Sequence, residues 1–141
     1  MIVYRNIAGL MLAAMVVTPA TADPLAMDSP TAMNGLEVVC TGIGSAKDDP
    51  RWLSYPIRIE FSNGGAQYLS GAHVTLSQLG RSLADFDCAG AWVLVRGQPG
   101  SYRVSATIDG SATKSANASF SMGTGAQKRL ILRFPAFQAD Q

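Results

Sequence analysis

The chain has 141 residues, 48% of them hydrophobic, with 11 basic and 10 acidic side chains, one histidine and two cysteines. That length suits one domain, and a near-neutral balance with no basic run removes the electrostatic footprint that nucleic-acid binding requires. Two cysteines fall short of the four ligands of a structural zinc site.

Met1–Asn6 carries one positive charge, Arg5, and an apolar run extends from Ile7 to Val17. Thr18-Pro19-Ala20-Thr21-Ala22 follows, with small residues suitably placed for a cut after Ala22. This is the three-part pattern of a secretory signal peptide over residues 1–22. The apolar run is about half the ~20 residues that span a bilayer, so a membrane anchor is the weaker reading. Cleavage would remove Arg5 and no acid, leaving a formal charge near zero. The expected location is the periplasm or the exterior, with no membrane span after cleavage. In an oxidising compartment Cys40 and Cys88 form a disulfide in the usual case, and two buried free thiols are the alternative. The link would be worth about 4 kcal/mol through the entropy of the closed loop.

Residues 23–35, with Pro24, Asp28, Ser29, Pro30, Asn34 and Gly35, show no period and read as a flexible lead-in. The domain is expected over residues 36–134, with a loose tail at 135–141. Leu36–Cys40 reads as a short strand, and Thr41–Arg51 as a polar loop. Trp52–Phe61 reads as a strand, since Tyr55, Ile57, Ile59 and Phe61 alternate with polar residues. Ala72, Val74 and Leu76 alternate with His73, Thr75 and Ser77 in another strand. Arg81–Phe86 returns as a short one, and Asp87-Cys88-Ala89-Gly90 reads as a turn.

Ala91–Arg96 is apolar on both faces, as a central covered strand would be. After Pro99-Gly100, Tyr102, Val104, Ala106 and Ile108 alternate with Ser101, Arg103, Ser105 and Thr107, and Asp109-Gly110 is a hairpin signal. Thr113–Ser121 alternates small apolar residues with Ser, Thr and Asn; Lys114 would mark a bulge or the sheet edge. This uncharged strand could accept a partner by edge addition. Leu130, Leu132 and Phe134 close the series. About seven short strands with Gly-rich turns and no amphipathic helix predict an all-β, seven-stranded Greek-key β-sandwich. Its core would draw on Tyr55, Ile57, Ile59, Phe61, Val74, Leu76, Trp92, Leu94, Tyr102, Val104, Ile108, Phe120, Leu130, Leu132 and Phe134.

The runs Gly71-Ala72-His73-Val74-Thr75-Leu76, Pro99-Gly100-Ser101-Tyr102-Arg103-Val104-Ser105-Ala106 and Leu130-Ile131-Leu132-Arg133-Phe134 occur in an order that resembles the carboxypeptidase regulatory-like domain, of transthyretin-like (prealbumin-like) fold. The resemblance covers about Tyr55–Phe134. It implies a non-catalytic module with no shared ligand, and hence fold more than function. A domain standing alone behind a signal peptide is similar to small exported proteins of Gram-negative bacteria. Transthyretin-like hydrolases of 5-hydroxyisourate need a histidine cluster and a C-terminal Tyr-Arg-Gly-Ser run; this chain has one histidine and ends Ala136–Gln141.

His73 falls on the outward parity of its strand, and the sequence shows no nucleophile or orienting group beside it. Asp48-Asp49 and the Asp85/Asp87 pair could supply loop carboxylates to a cation, and a Cys40–Cys88 bond would draw the two regions together, but no EF-hand spacing is present. Trp52, Tyr55 and Tyr68 could grip a protein partner or a sugar if exposed; packing in the core or at an edge is the alternative. The sequence thus favours a non-enzymatic exported module with no cofactor, contacting an envelope protein or glycan. A small metal-dependent hydrolase using Asp48, Asp49, Asp87 and His73 is the competing expectation.

Overall fold

A computed structural model of the chain describes residues 24–64, 67–108 and 115–134. The expected signal peptide over residues 1–22, the expected Asp109-Gly110 turn, Lys114 and the expected tail lie outside these residues. The described residues form nine strands: β1 (Thr31–Met33), β2 (Leu36–Thr41), β3 (Ile57–Ser62), β4 (Ala72–Gln78), β5 (Arg81–Cys88), β6 (Trp92–Arg96), β7 (Gly100–Ile108), β8 (Ser115–Met122) and β9 (Lys128–Arg133). The expectation of about seven falls short; β2 matches the strand read at Leu36–Cys40, and β1 lies in the stretch read as lead-in. Two short 3-10 turns, Gly44–Asp48 and Pro50–Ser54, lie between β2 and β3.

The strands make two sheets, ordered β1-β2-β6-β3-β9 and β5-β4-β7-β8. All neighbours are antiparallel except β3 and β9, which run parallel. Period-two alternation explains the pairing: one parity of each strand is buried and the other meets solvent or a covering loop. One apolar cluster spans both sheets. It takes Val38, Ile57, Ile59, Phe61 and Val93 from the first and Val74, Leu76, Phe86, Tyr102 and Val104 from the second. Cys40 of β2 and Cys88 of β5 are disulfide-bonded, with Cα atoms 5.6 Å apart, so the bond ties one sheet to the other.

Four sequence expectations change. The lead-in is not loose over its described part: Leu25 is buried and donates its N–H to the carbonyl of Asp87, and Met27 bridges to Cys40. Asn34-Gly35 supplies the two left-handed residues, φ 46° and 83°, of the β1–β2 hairpin, the type I′ chemistry of an Asn-Gly pair. Trp52–Tyr55 is not the start of a strand. Asp49 caps Arg51 and Pro50 opens the second 3-10 turn, which suits a residue with no N–H to give. Finally, Asp87 and Cys88 continue β5 instead of turning. Of the expected core, Tyr55 and Leu94 belong to a second cluster with Val39 and Trp52 on the far side of the five-stranded sheet. Trp92, Phe120 and Leu130 are only partly buried.

Candidate functional site

The second cluster marks the outer face of the five-stranded sheet as more than a solvated surface. Registers set Glu37 opposite Arg96, Val39 opposite Leu94, Thr41 and Glu60 opposite Trp92, and Arg58 opposite Arg129. The 3-10 turns fold back over this face and bury Trp52 and Tyr55 against Val39 and Leu94. Trp52 donates its indole N–H to the carbonyl of Ala46, and the two rings meet edge to face at 6.0 Å.

Three arginines lie over these aromatic rings: Arg51 over Trp52 at 4.9 Å, Arg58 over Trp92 at 4.4 Å and Arg96 over Tyr55 at 4.5 Å. Such stacking pins a guanidinium plane that would otherwise sample many rotamers. Arg96 also donates to Glu37, and so does the Tyr55 hydroxyl, at 2.7 and 2.6 Å. These bonds hold the Glu37 carboxyl below its usual range. Burial and the neighbouring Glu37 push the Tyr55 phenol up to about 12, so it stays a donor at ordinary pH.

Glu60 is fully buried at the other end of the face. Arg129 donates to one of its oxygens and also bonds Tyr68, and Arg58 approaches that same oxygen at 3.7 Å. The second Glu60 oxygen and the Arg58 Nε are buried with no hydrogen-bond partner. Beside Arg58 a cleft of about 210 Å³ opens between the 3-10 turns and the sheet. Lys47, Asp48, Asp49, Trp52, Leu53, Trp92, Leu94 and Gln127 complete its walls.

The four-stranded sheet carries a different constellation. The extension of β5 sets Asp85 and Asp87 on its outward parity, with Asp87 directly opposite His73. His73 Nδ1 lies 2.7 Å from Asp87 and Nε2 lies 2.6 Å from Asp85, and Asp85 also accepts from Thr75. Burial alone would favour the neutral ring, but the Asp87 hydrogen bond and the Asp85 charge outweigh it and raise the His73 pKa. Both ring nitrogens thus lie within hydrogen-bond distance of carboxylates. A concavity of about 650 Å³ adjoins the group, walled in part by Pro24, Leu25, Gly71, Asp87 and Ala89.

The structure does not bring the acidic pairs together. Asp48 and Asp49 line the cleft on one sheet, while Asp85 and Asp87 stand on the outer face of the other. Asp49 is occupied by Arg51 at 2.8 Å. No group of three or more His, Cys, Asp or Glu side chains among the described residues is arranged to hold a metal ion. Trp52 and Tyr55 are buried, which leaves Tyr68, 48% exposed, as the exposed aromatic of that trio. Sequence reasoning passed over Arg51, Arg58, Arg96, Arg129, Glu37, Glu60 and Gln127. The available signal was charge at alternate positions of strands whose other parity is apolar. No protein-family model, curated protein or solved structure matches the chain.

Proposed function

We propose that the protein is a non-enzymatic exported module of the bacterial periplasm or envelope that binds an envelope protein or glycan through the outer face of its five-stranded sheet. The observation that carries this reading is the row of three arginine–aromatic stacks with a cleft beside it. Arginines fixed in place and aromatic anchors are what recognition surfaces use, because their donors are ordered before the partner arrives. The buried Cys40–Cys88 bond supports an oxidising compartment. The seven strands β3–β9 support a transthyretin-like Greek-key sandwich of the carboxypeptidase regulatory-like kind. They divide three and four, ordered β6-β3-β9 and β5-β4-β7-β8, with the β4–β5 and β7–β8 hairpins side by side and β9 parallel to β3. On this reading β1 and β2 are additions at the free edge of β6.

The metal-dependent hydrolase alternative would draw on Asp48, Asp49, Asp87 and His73 together. His73 and Asp87 pair on the four-stranded sheet, while Asp48 and Asp49 line the cleft on the other, so this constellation is split.

The test is export of the full chain in a Gram-negative host with a C–H-inserting photo-crosslinker at Leu53, which is exposed on the cleft rim, and separately at Ser105 on the opposite sheet. The expected result is a periplasmic protein cut after Ala22, oxidised at both cysteines, that yields a cross-linked product from Leu53 and none from Ser105. An uncut, reduced protein overturns the export reading. Absence of any product from Leu53 overturns the binding reading.

A further inference from the structure

The cleft beside Arg58 combines hydrogen-bonding groups of both kinds with an apolar floor. Arg51, Arg96 and Arg129 each have a carboxylate within hydrogen-bond reach. Among the described residues, Arg58 has only the 3.7 Å approach to Glu60 and its Nε is buried without an acceptor, while its side chain is 26% exposed. The Trp92 ring holds its plane in the cleft wall. Gly42 lies so close to that ring that a Cβ there would fall 2.8 Å from the Trp92 Cγ, so a glycine is what lets the indole occupy this position. Gln127 is fixed as well. Its amide nitrogen donates to the carbonyls of Trp52 and Tyr55, at 2.8 and 3.0 Å, which orients its oxygen as an acceptor.

Ligand classes can be sorted by what this wall would leave unpaired. A simple anion would suit Arg58 and Lys47 but would face Asp48. A simple cation would meet the reverse conflict. A purely apolar molecule would cover the Arg58 side chain, which is 26% exposed, and leave its guanidinium without an acceptor, the costly case for a buried polar group. A polyhydroxylated ring fits: each hydroxyl both donates and accepts, and its C–H surface can lie on the exposed Leu53. The volume, about 210 Å³, is under the ~300–1,000 Å³ of sites for drug-sized ligands and matches a single ring.

The geometry points to this cleft as a subsite for one sugar ring of a carbohydrate, with Arg58 as donor and Gln127 as acceptor. The inference rests on the binding-module reading and narrows its partner to carbohydrate. Ordinary ligand efficiency gives a free monosaccharide a Kd of about 1 mM.

The experiment is titration of the oxidised, ¹⁵N-labelled mature protein with glucose, galactose, mannose and N-acetylglucosamine, following the Trp92 indole and Gln127 side-chain amide signals. At least one sugar is expected to shift both signals saturably. Arg58→Lys, which keeps the charge and loses the planar donors, should weaken binding at least about tenfold. Leu53→Ala, at a 72% exposed position where folding is not at stake, should weaken it several-fold, and Ser105→Ala should leave it unchanged. No saturable shift with any sugar overturns the inference, as do shifts indifferent to Arg58→Lys and Leu53→Ala. If sugars fail while the Leu53 crosslinker still captures a protein, the module reading stands and the carbohydrate assignment falls. If both fail, both fall.

Discussion

Replacing Cys40 and Cys88 together with alanine removes the one covalent tie between the two sheets, and the cost can be worked out from two features. The cysteines are 48 residues apart in sequence, and a loop of that size restricts the unfolded chain by about 4 kcal/mol. The Cys40 sulfur also accepts the buried N–H of Gly90 at 3.3 Å. Alanine would strand that donor at a further cost of about 1–3 kcal/mol. The sum approaches the whole stability of an ordinary domain, about 5–15 kcal/mol, so the double variant should sit near its folding threshold. Urea unfolding of three samples separates the contributions: oxidised wild type, wild type in reductant, and the double variant. Reduction removes the loop constraint and keeps the sulfur, so it should lose about 4 kcal/mol, and the variant should lose more. A loss below about 1 kcal/mol on reduction would refute the loop argument, and equal losses in the two perturbed samples would refute the role given to Gly90.

Two other expectations follow from single residues. The His73 pKa is raised in the fold, so its contribution is full below the unfolded value of about 6.5 and is lost as pH climbs through the higher folded value. The urea midpoint of wild type minus that of His73→Gln should therefore fall as pH rises above about 6.5; a difference that is flat or grows with pH refutes the pairing of His73 with Asp85 and Asp87. Leu79 is fully exposed in the β4–β5 turn at φ 51°, with Gly80 at φ 76° after it. Leu79→Asn suits this type I′ turn and should add about 0.5–1 kcal/mol, read as a melting temperature about 2–5 °C higher. A lower melting temperature would mean that the leucine makes contacts it is not seen to make.

The strands were legible where burial is one-sided, because alternation then writes itself into the sequence. β7 shows Tyr102, Val104, Ala106 and Ile108 inward and polar residues outward. The two-sided burial of β6 was legible for the opposite reason: Val93 and Val95 face the main core and Leu94 faces the smaller cluster behind it. What escaped reading depends on contacts distant in sequence. Tyr55 continues the parity of β3, yet Asp49 and Pro50 stop the chain in a 3-10 turn, and the Trp52 and Tyr55 rings are buried by folding back onto Leu94. Asp87 looked like part of a turn because Gly90 follows so soon. The inward parity of Ala84, Phe86 and Cys88 was the sign that the strand continues and delivers both aspartates to His73. The arginine stacks join β3 to β6 and a turn to a strand, and no local pattern announces such pairs.

The parallel pairing of β3 with β9 has a consequence for how the molecule is made. Arg129 and Glu60, bonded across that pair, are 69 residues apart in sequence, so β3 has no neighbour on that side until nearly the whole domain has been delivered. Contacts of such long range form late and slowly. A chain threading N-terminus first through a narrow pore would thus be unable to complete its first sheet midway, and would reach the far side still pliable. Both cysteines precede β9 in the chain, so an oxidase could join them before that final strand arrives, and the tie would then serve as a staple on a half-finished fold.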